Sequence, residues 1–284
     1  MNVNNVVRGF IPELYTASVY RTLEDNLVMK KIAKAQIDAP IKKFGDTVYF
    51  TGLADPTITS YTGTLTPEEL KDDQIAMLID KTETFCFKVE DVDKLMANVD
   101  VKGSQTQRAA YNLAKKIDLD VFTNAGDDAN AGDDLAVTVT SANVLSTVAE
   151  LARMLYEQNV EESNIWMVIP PWMMLKLKIA GVSFSINEGI NGKGGMKWTD
   201  DLGFEVFVTN NLYNSGSQAS PVHTILAGSF QAIGFAERML MTRNIEMEGS
   251  RSRQCDGGNV YGYKVIKPKE LAVLVATLGA ETTI

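Results

Sequence analysis

One connection limits what this chain can fold into more than any other feature. From Gly45, "GDTVYFTG" reads as a short strand. "TETFCFKV" alternates Glu83, Phe85, Phe87 and Val89 against Thr84, Cys86 and Lys88, a period of two residues. Between them runs "LADPTITSYTGTLTPEELKDDQ", over twenty polar, threonine-rich residues punctuated by Pro56, Gly63 and Pro67. Compact domains rarely carry so long a structureless connection, so the segment reads as a projecting hairpin arm. An arm of this composition has no core of its own and needs a partner to lie against.

The segment before it is of the same kind. Residues 13–35 place Val19, Leu23 and Leu27 at four-residue steps with Tyr15 and Tyr20 alongside, which predicts an amphipathic helix. Pro12 at its mouth suits a first turn, and Glu13 early with Lys30, Lys31 and Lys34 late suits the helix dipole. Further on, Ala110, Leu113, Ala114, Ile117 and Val121 repeat with helical spacing, predicting a long helix that ends at Gly126. After the acidic "GDDANAGDD", a second helix is expected over about 141–158, burying Val144, Val148, Leu151, Ala152 and Leu155.

"NIWMVIP" then reads as a buried strand. "PWMMLKLKIAG" reads as a short helix opened by Pro171 and closed by Gly181, and "FEVFVT" as another strand. Strands are also expected around "HTILAG", "QAIGFAERMLMTRNIEM", "VYGYKVI" and "LAVLVATL". The middle of the chain therefore reads as a compact α/β layer.

With 284 residues, 45% of them apolar, there is material for one large core or two ordinary ones. The N-terminus has no signal-like apolar region, and the longest apolar run near the end, "LAVLVATLGA", is about half a bilayer span, so no membrane is expected. Cys86 and Cys255 are far apart and belong to no C-x-x-C pair, which suggests neither a disulfide framework nor zinc. A net charge of −9 argues against a dedicated duplex-DNA binder but leaves room for a locally basic face.

The sequence offers three catalytic or binding patterns, and each fails on its own terms. "NEGINGKGGMKW" resembles a phosphate loop, but Lys193 is followed by Gly194 where a hydroxyl belongs, and a strand follows where a helix should. "DDANAGDD" staggers Asp128 and Asn130 like a calcium loop, yet Gly132 falls one place early and Val139 stands where the bidentate glutamate is needed. The single histidine, His223, has no nucleophile motif near it and reads as a strand-edge residue. No catalytic residue, cofactor or metal ligand is therefore expected. Lys30, Lys31, Lys34, Lys42, Lys43, Arg238, Arg243, Arg251 and Arg253 sit near the arms and the last loop, where they would serve weak nucleic-acid contact, subunit salt bridges or solubility.

The order of several segments resembles the major capsid proteins of tailed bacteriophages with the HK97-type fold, in the branch near the P22 coat protein. They are "FIPELYTASVYRTLEDNLVM", "GDTVYFTGLADPTI", "FKVEDVDKLMANVDV" with "QRAAYNLA", "GFEVFVTNNL", "QAIGFA" and "YGYKVI". The resemblance implies an α+β fold with an N-arm (1–40), an extended β-hairpin E-loop (41–89) and a spine helix with part of the peripheral domain (90–136). An axial domain (137–225) would follow, then axial strands and a return to the peripheral sheet (226–284).

It also implies pentamers and hexamers in an icosahedral shell around double-stranded DNA, with a portal protein, in a virion assembled in the host cytoplasm. Only nine residues precede "FIPE", so a separate scaffolding protein is expected. Assembly contacts would fall on Pro12, Tyr15 and Leu23 of the arm, on Asp55, Pro56 and Tyr61 of the hairpin, and on Lys193 of a loop at a capsomer centre. The rivals are an encapsulin-type nanocompartment shell and a cytosolic phosphate-binding α/β enzyme.

Overall fold

The computed structural model describes residues 23, 27–34, 45–53, 60, 72–90, 101–132, 134–161, 164–182, 185–186, 198–199, 203–217, 220–246 and 252–280.

The N-terminal helix does not run unbroken to residue 35. Leu23 is helical, and the Leu27 N–H donates to its carbonyl at 3.0 Å, but a separate short turn, α1 (Met29–Ile32), follows, and Ala33 is extended. Tertiary bonds outcompete the local periodicity here. The Asp118 carboxylate takes the N–H groups of Val28 and Met29, and the Lys34 N–H donates to the Ile233 carbonyl at 2.8 Å. Tyr15, Val19 and Tyr20 lie outside the described residues.

The expected hairpin is present at its base. β1 (Thr47–Leu53) pairs antiparallel with β2 (Asp72–Leu78), from Thr47 opposite Leu78 to Leu53 opposite Asp72. β3 (Lys81–Glu90), the alternating "TETFCFKV" segment, leaves that hairpin and joins two C-terminal strands.

The long helix is α2 (Val101–Asn124), tightening into a 3-10 turn over Ala125–Asp128. Ala110, Leu113, Ala114, Ile117 and Val121 are all buried, as their spacing predicted. β4 (Leu135–Val139) has no counterpart in the sequence reading; only five residues long, it pairs in parallel with the last strand of the chain.

Next come α3 (Val144–Glu157), β5 (Ile165–Ile169) and α4 (Pro171–Ile179), the last begun by proline and stopped before Gly181, whose φ of +90 suits glycine. The two-residue strands β6 (Ser185–Ile186) and β7 (Trp198–Thr199) pair with each other, and β8 (Glu205–Val208) follows. β9 (Val222–Ser229), β10 (Ile233–Glu246), β11 (Ser252–Val265) and β12 (Leu271–Leu278) complete the chain.

These strands make three sheets: the β1–β2 hairpin, a three-stranded sheet ordered β10-β11-β3, and a seven-stranded sheet ordered β4-β12-β9-β5-β8-β7-β6. The main core lies on the seven-stranded sheet, where all five residues of β5 are buried, and it takes in α3, α4 and the inner face of α2. Burying a Leu, Ile or Phe side chain is worth roughly 1.5–3 kcal/mol, so this cluster dominates the stability. A second cluster of Val48, Phe50, Met77, Ile79, Ala236 and Val260 seats the hairpin on the three-stranded sheet.

Candidate assembly surfaces

The N-terminal segment is fastened to the body at its root. Met29 and Val28 donate to Asp118 Oδ1 and Oδ2 at 3.1 and 3.2 Å, and Asn211 Nδ2 approaches Oδ2 at 3.3 Å. One carboxylate on α2 thereby ties together the chain's start and the loop after β8. Burial lifts Asp118 from the ordinary 3.8 to about 6, although the three hydrogen bonds and Lys31 pull the other way. Beside it, Lys30 Nζ pairs with Glu237 of β10 at 3.0 Å, and Glu237 Oε2 accepts from Asn259 Nδ2 at 2.6 Å.

The hairpin is fastened by close backbone approach. Gly262 in β11 sits so near the end of β2 that a Cβ there would lie 2.5 Å from the Leu78 carbonyl oxygen, so only glycine fits. Lys264 Nζ donates to the Ala76 carbonyl at 3.0 Å, and Gly45 and Ile79 N–H groups close the base by donating to the Ile79 and Asp46 carbonyls. Tyr49 and Leu78 remain about half exposed.

A polar junction holds α2 on the three-stranded sheet. Lys81 Nζ meets Asp120 Oδ2 at 2.7 Å and Tyr263 OH at 3.0 Å, and Tyr261 OH donates to the same Asp120 oxygen at 2.9 Å. Burial, helped by the Asp120 charge, raises the Tyr261 hydroxyl well above the usual tyrosine value, so it stays a donor. Burial pulls Lys81 down, but the bonds to Asp120 and Tyr263 outweigh it and the net shift is upward. Between α2 and β3 an open groove of about 470 Å³ is lined by Phe85, Phe87, Arg108, Asn112 and Lys116 among others.

The described residues form no reaction centre. His223 is the second residue of β9, opposite Ala276 of β12 and bridged to Asn214, and its ring is buried, accepting at Nδ1 from the Trp172 indole N–H at 3.1 Å. Burial lowers its pKa, which favours the neutral ring. Cys86 faces Asp256 across the sheet while Cys255 faces Phe87, and adjacent strand positions point to opposite faces, so the two thiols do not meet. Asp127 and Asp128 are exposed, and no group of three metal-ligating side chains occurs among the described residues.

Of the residues singled out for assembly, Pro12, Tyr15, Asp55, Pro56, Tyr61 and Lys193 lie outside the described residues. Leu23 is fully buried in the main core, so its side chain works within the subunit. The glycine-rich segment is flanked by the β6–β7 pair, Ile186 opposite Trp198, so its last residue lies in a strand; Asn187 to Lys197 lie outside the described residues. Sequence reasoning missed Asp118, Asp120 and Glu237, whose partners are remote in the chain and leave no local pattern.

No protein-family model matches the chain and no curated protein matches it in sequence. Solved structures do. The capsid of cyanophage P-SCSP1u superposes with a TM-score of 0.63 at 16% identity, covering 89% of each chain. The mature capsid of bacteriophage PhiM1 gives 0.56 at 12% identity, covering 86% of this chain and 91% of that one. A virus-like particle from Pyrococcus furiosus gives 0.58 at 13%, covering 92% and 98%. The chain therefore has the HK97-type capsid fold, an α+β architecture that accounts for nearly its whole length.

Proposed function

We propose that this chain is the major capsid protein of a tailed bacteriophage, a structural subunit with no catalytic role. Many copies, as pentamers and hexamers, build the icosahedral head around double-stranded DNA. The observation that carries the reading is the end-to-end match to capsid structures, with at least 86% of both chains covered in each comparison above. The fastening of the roots of the N-terminal segment and of the hairpin supports it, since a subunit that lends arms to its neighbours needs them anchored and gains through multivalency.

On this reading residues 1–40 are the N-arm, 41–89 the E-loop and α2 the spine helix. Residues 137–225 belong to the axial domain, and the β10-β11-β3 sheet to the peripheral domain. Lys193 lies at the capsomer centre. A scaffolding protein and a portal protein assist assembly in the host cytoplasm, and the mature product is a virion.

A second reading, an encapsulin-type shell, is favoured by the match to the Pyrococcus furiosus virus-like particle. Electron microscopy of purified particles with an assay of their contents separates the two. Particles holding double-stranded DNA are expected. Nucleic-acid-free shells with docked cargo would transfer the chain to the second reading, and a small non-assembling species would refute both.

A further inference from the structure

We propose that the exposed face of α2 is the surface on which the shell holds its DNA, through Arg108, Lys115 and Lys116 with Tyr111 and Asn112 between them. The inference rests on the capsid reading and names the contact within it.

The charge pattern of the helix is one-sided. From Val101 to Ile117 the sequence has Lys102, Arg108, Lys115 and Lys116 and no acid, in a chain whose net charge is −9. The two acids that follow are both engaged internally: Asp118 is buried under Met29 and Val28, and Asp120 holds Lys81 and Tyr261. With Thr106, Ala110, Leu113, Ala114 and Ile117 turned to the core, Gln105, Arg108, Tyr111, Asn112, Lys115 and Lys116 are left exposed.

Their spacing forms two adjoining rows, one of Gln105, Arg108, Asn112 and Lys116, the other of Tyr111 and Lys115. The first row walls the groove beside β3, in which Glu83 is the one carboxylate among the lining residues.

Four of the basic residues that sequence alone brought forward are occupied by comparison. Lys30 is paired with Glu237 and Arg243 with Asp256. Lys31 and Arg238 are also engaged. Arg108, Lys115 and Lys116 take no carboxylate partner among the described residues.

Arg108 to Lys115 spans about 10 Å along the helix axis, against a rise of about 3.4 Å per nucleotide, so the stripe covers about three successive phosphates of one strand. Tyr, Asn and Gln side chains between the cations are the usual neutral donors to phosphate oxygens, and none of these contacts reads a base. The surface suits a sequence-independent polyanion, which a packaged genome is.

The test uses the full-length unassembled protein and a labelled random-sequence duplex of about 30 base pairs, with binding followed by anisotropy between 20 and 200 mM salt. Three proteins are compared: wild type, R108Q/K115Q/K116Q, and K178Q/K267Q/K269Q, which lowers net charge equally away from α2. The helix triple is expected to lose at least tenfold in affinity at low salt. Its log–log salt slope is expected to flatten by about 3, close to one unit per lost phosphate contact, while the control stays within twofold of wild type. R108K/K115R/K116R should bind as wild type does, which guards against a folding defect.

Equal behaviour of the two glutamine triples, or no wild-type binding at 20 mM salt, overturns the inference. So does displacement of duplex by poly-glutamate at equal charge concentration, which would assign the face to an acidic protein. Electron microscopy of wild-type protein put separately under assembly conditions, with the scaffolding protein present, judges the shell reading: particles together with an absence of helix-dependent DNA binding sink only the stripe, and no particles sink the shell.

Discussion

Asp118 is the place to test how the N-terminal segment is held, because its two neutral replacements should behave in opposite ways. Its carboxyl titrates near 3.8 when unfolded and near 6 when folded, mainly because burial penalises the charge. A folded value raised above the unfolded one means that stability is greatest below pH 3.8 and falls as pH rises through about 6. That difference costs about 3 kcal/mol once the group is ionised in both states, and roughly half of it is already lost at pH 5.

Asp118→Asn keeps an acceptor oxygen for Val28 and Met29 without the charge. It should gain on wild type by up to about 3 kcal/mol at pH 8, and that margin should narrow by roughly half at pH 5. Asp118→Ala removes the acceptor and leaves the buried Met29 N–H unpaired, at about 1–3 kcal/mol per orphaned group. Urea unfolding followed by tryptophan fluorescence at pH 5, 6.5 and 8, with hydrogen exchange at Met29, measures both. A gap between wild type and Asp118→Asn that is independent of pH, or that favours wild type more as pH rises, would refute the reasoning.

Two further outcomes concern the hairpin. Gly262→Ala should cost about 1–3 kcal/mol and lower exchange protection at the Gly45 and Ile79 amides, because the new methyl meets backbone at Leu78 and not a yielding side chain; unchanged protection would show that the hairpin does not bear on β11. Deleting residues 54–69 should leave a soluble, folded subunit that forms no shells, as read by gel filtration and electron microscopy, and normal shells from it would remove the hairpin from the assembly contacts.

What the sequence disclosed, and what it withheld, divides along a physical line. Periodicity is local, so the buried faces of α2 and α3 could be read residue by residue, and so could the strand that follows the glycine-rich segment. The break before Met29 could not be read, because it depends on a carboxylate 89 residues away. Nor could β4, which is five residues long and gains its place only through parallel pairing with β12, more than a hundred residues on.

Charge follows the same rule more sharply. Some of the basic residues that stand out along the chain are consumed by folding, Lys30 by Glu237 across 207 residues and Arg243 by Asp256. A free basic face arises where the neighbouring acids are turned inward, and on α2 the helical period does this by placing Asp118 under the N-terminal root and Asp120 on Lys81. Net charge therefore says little about a protein's capacity to hold a polyanion, since 36 acids against 27 bases is compatible with an acid-free stripe once pairing has decided which charges remain.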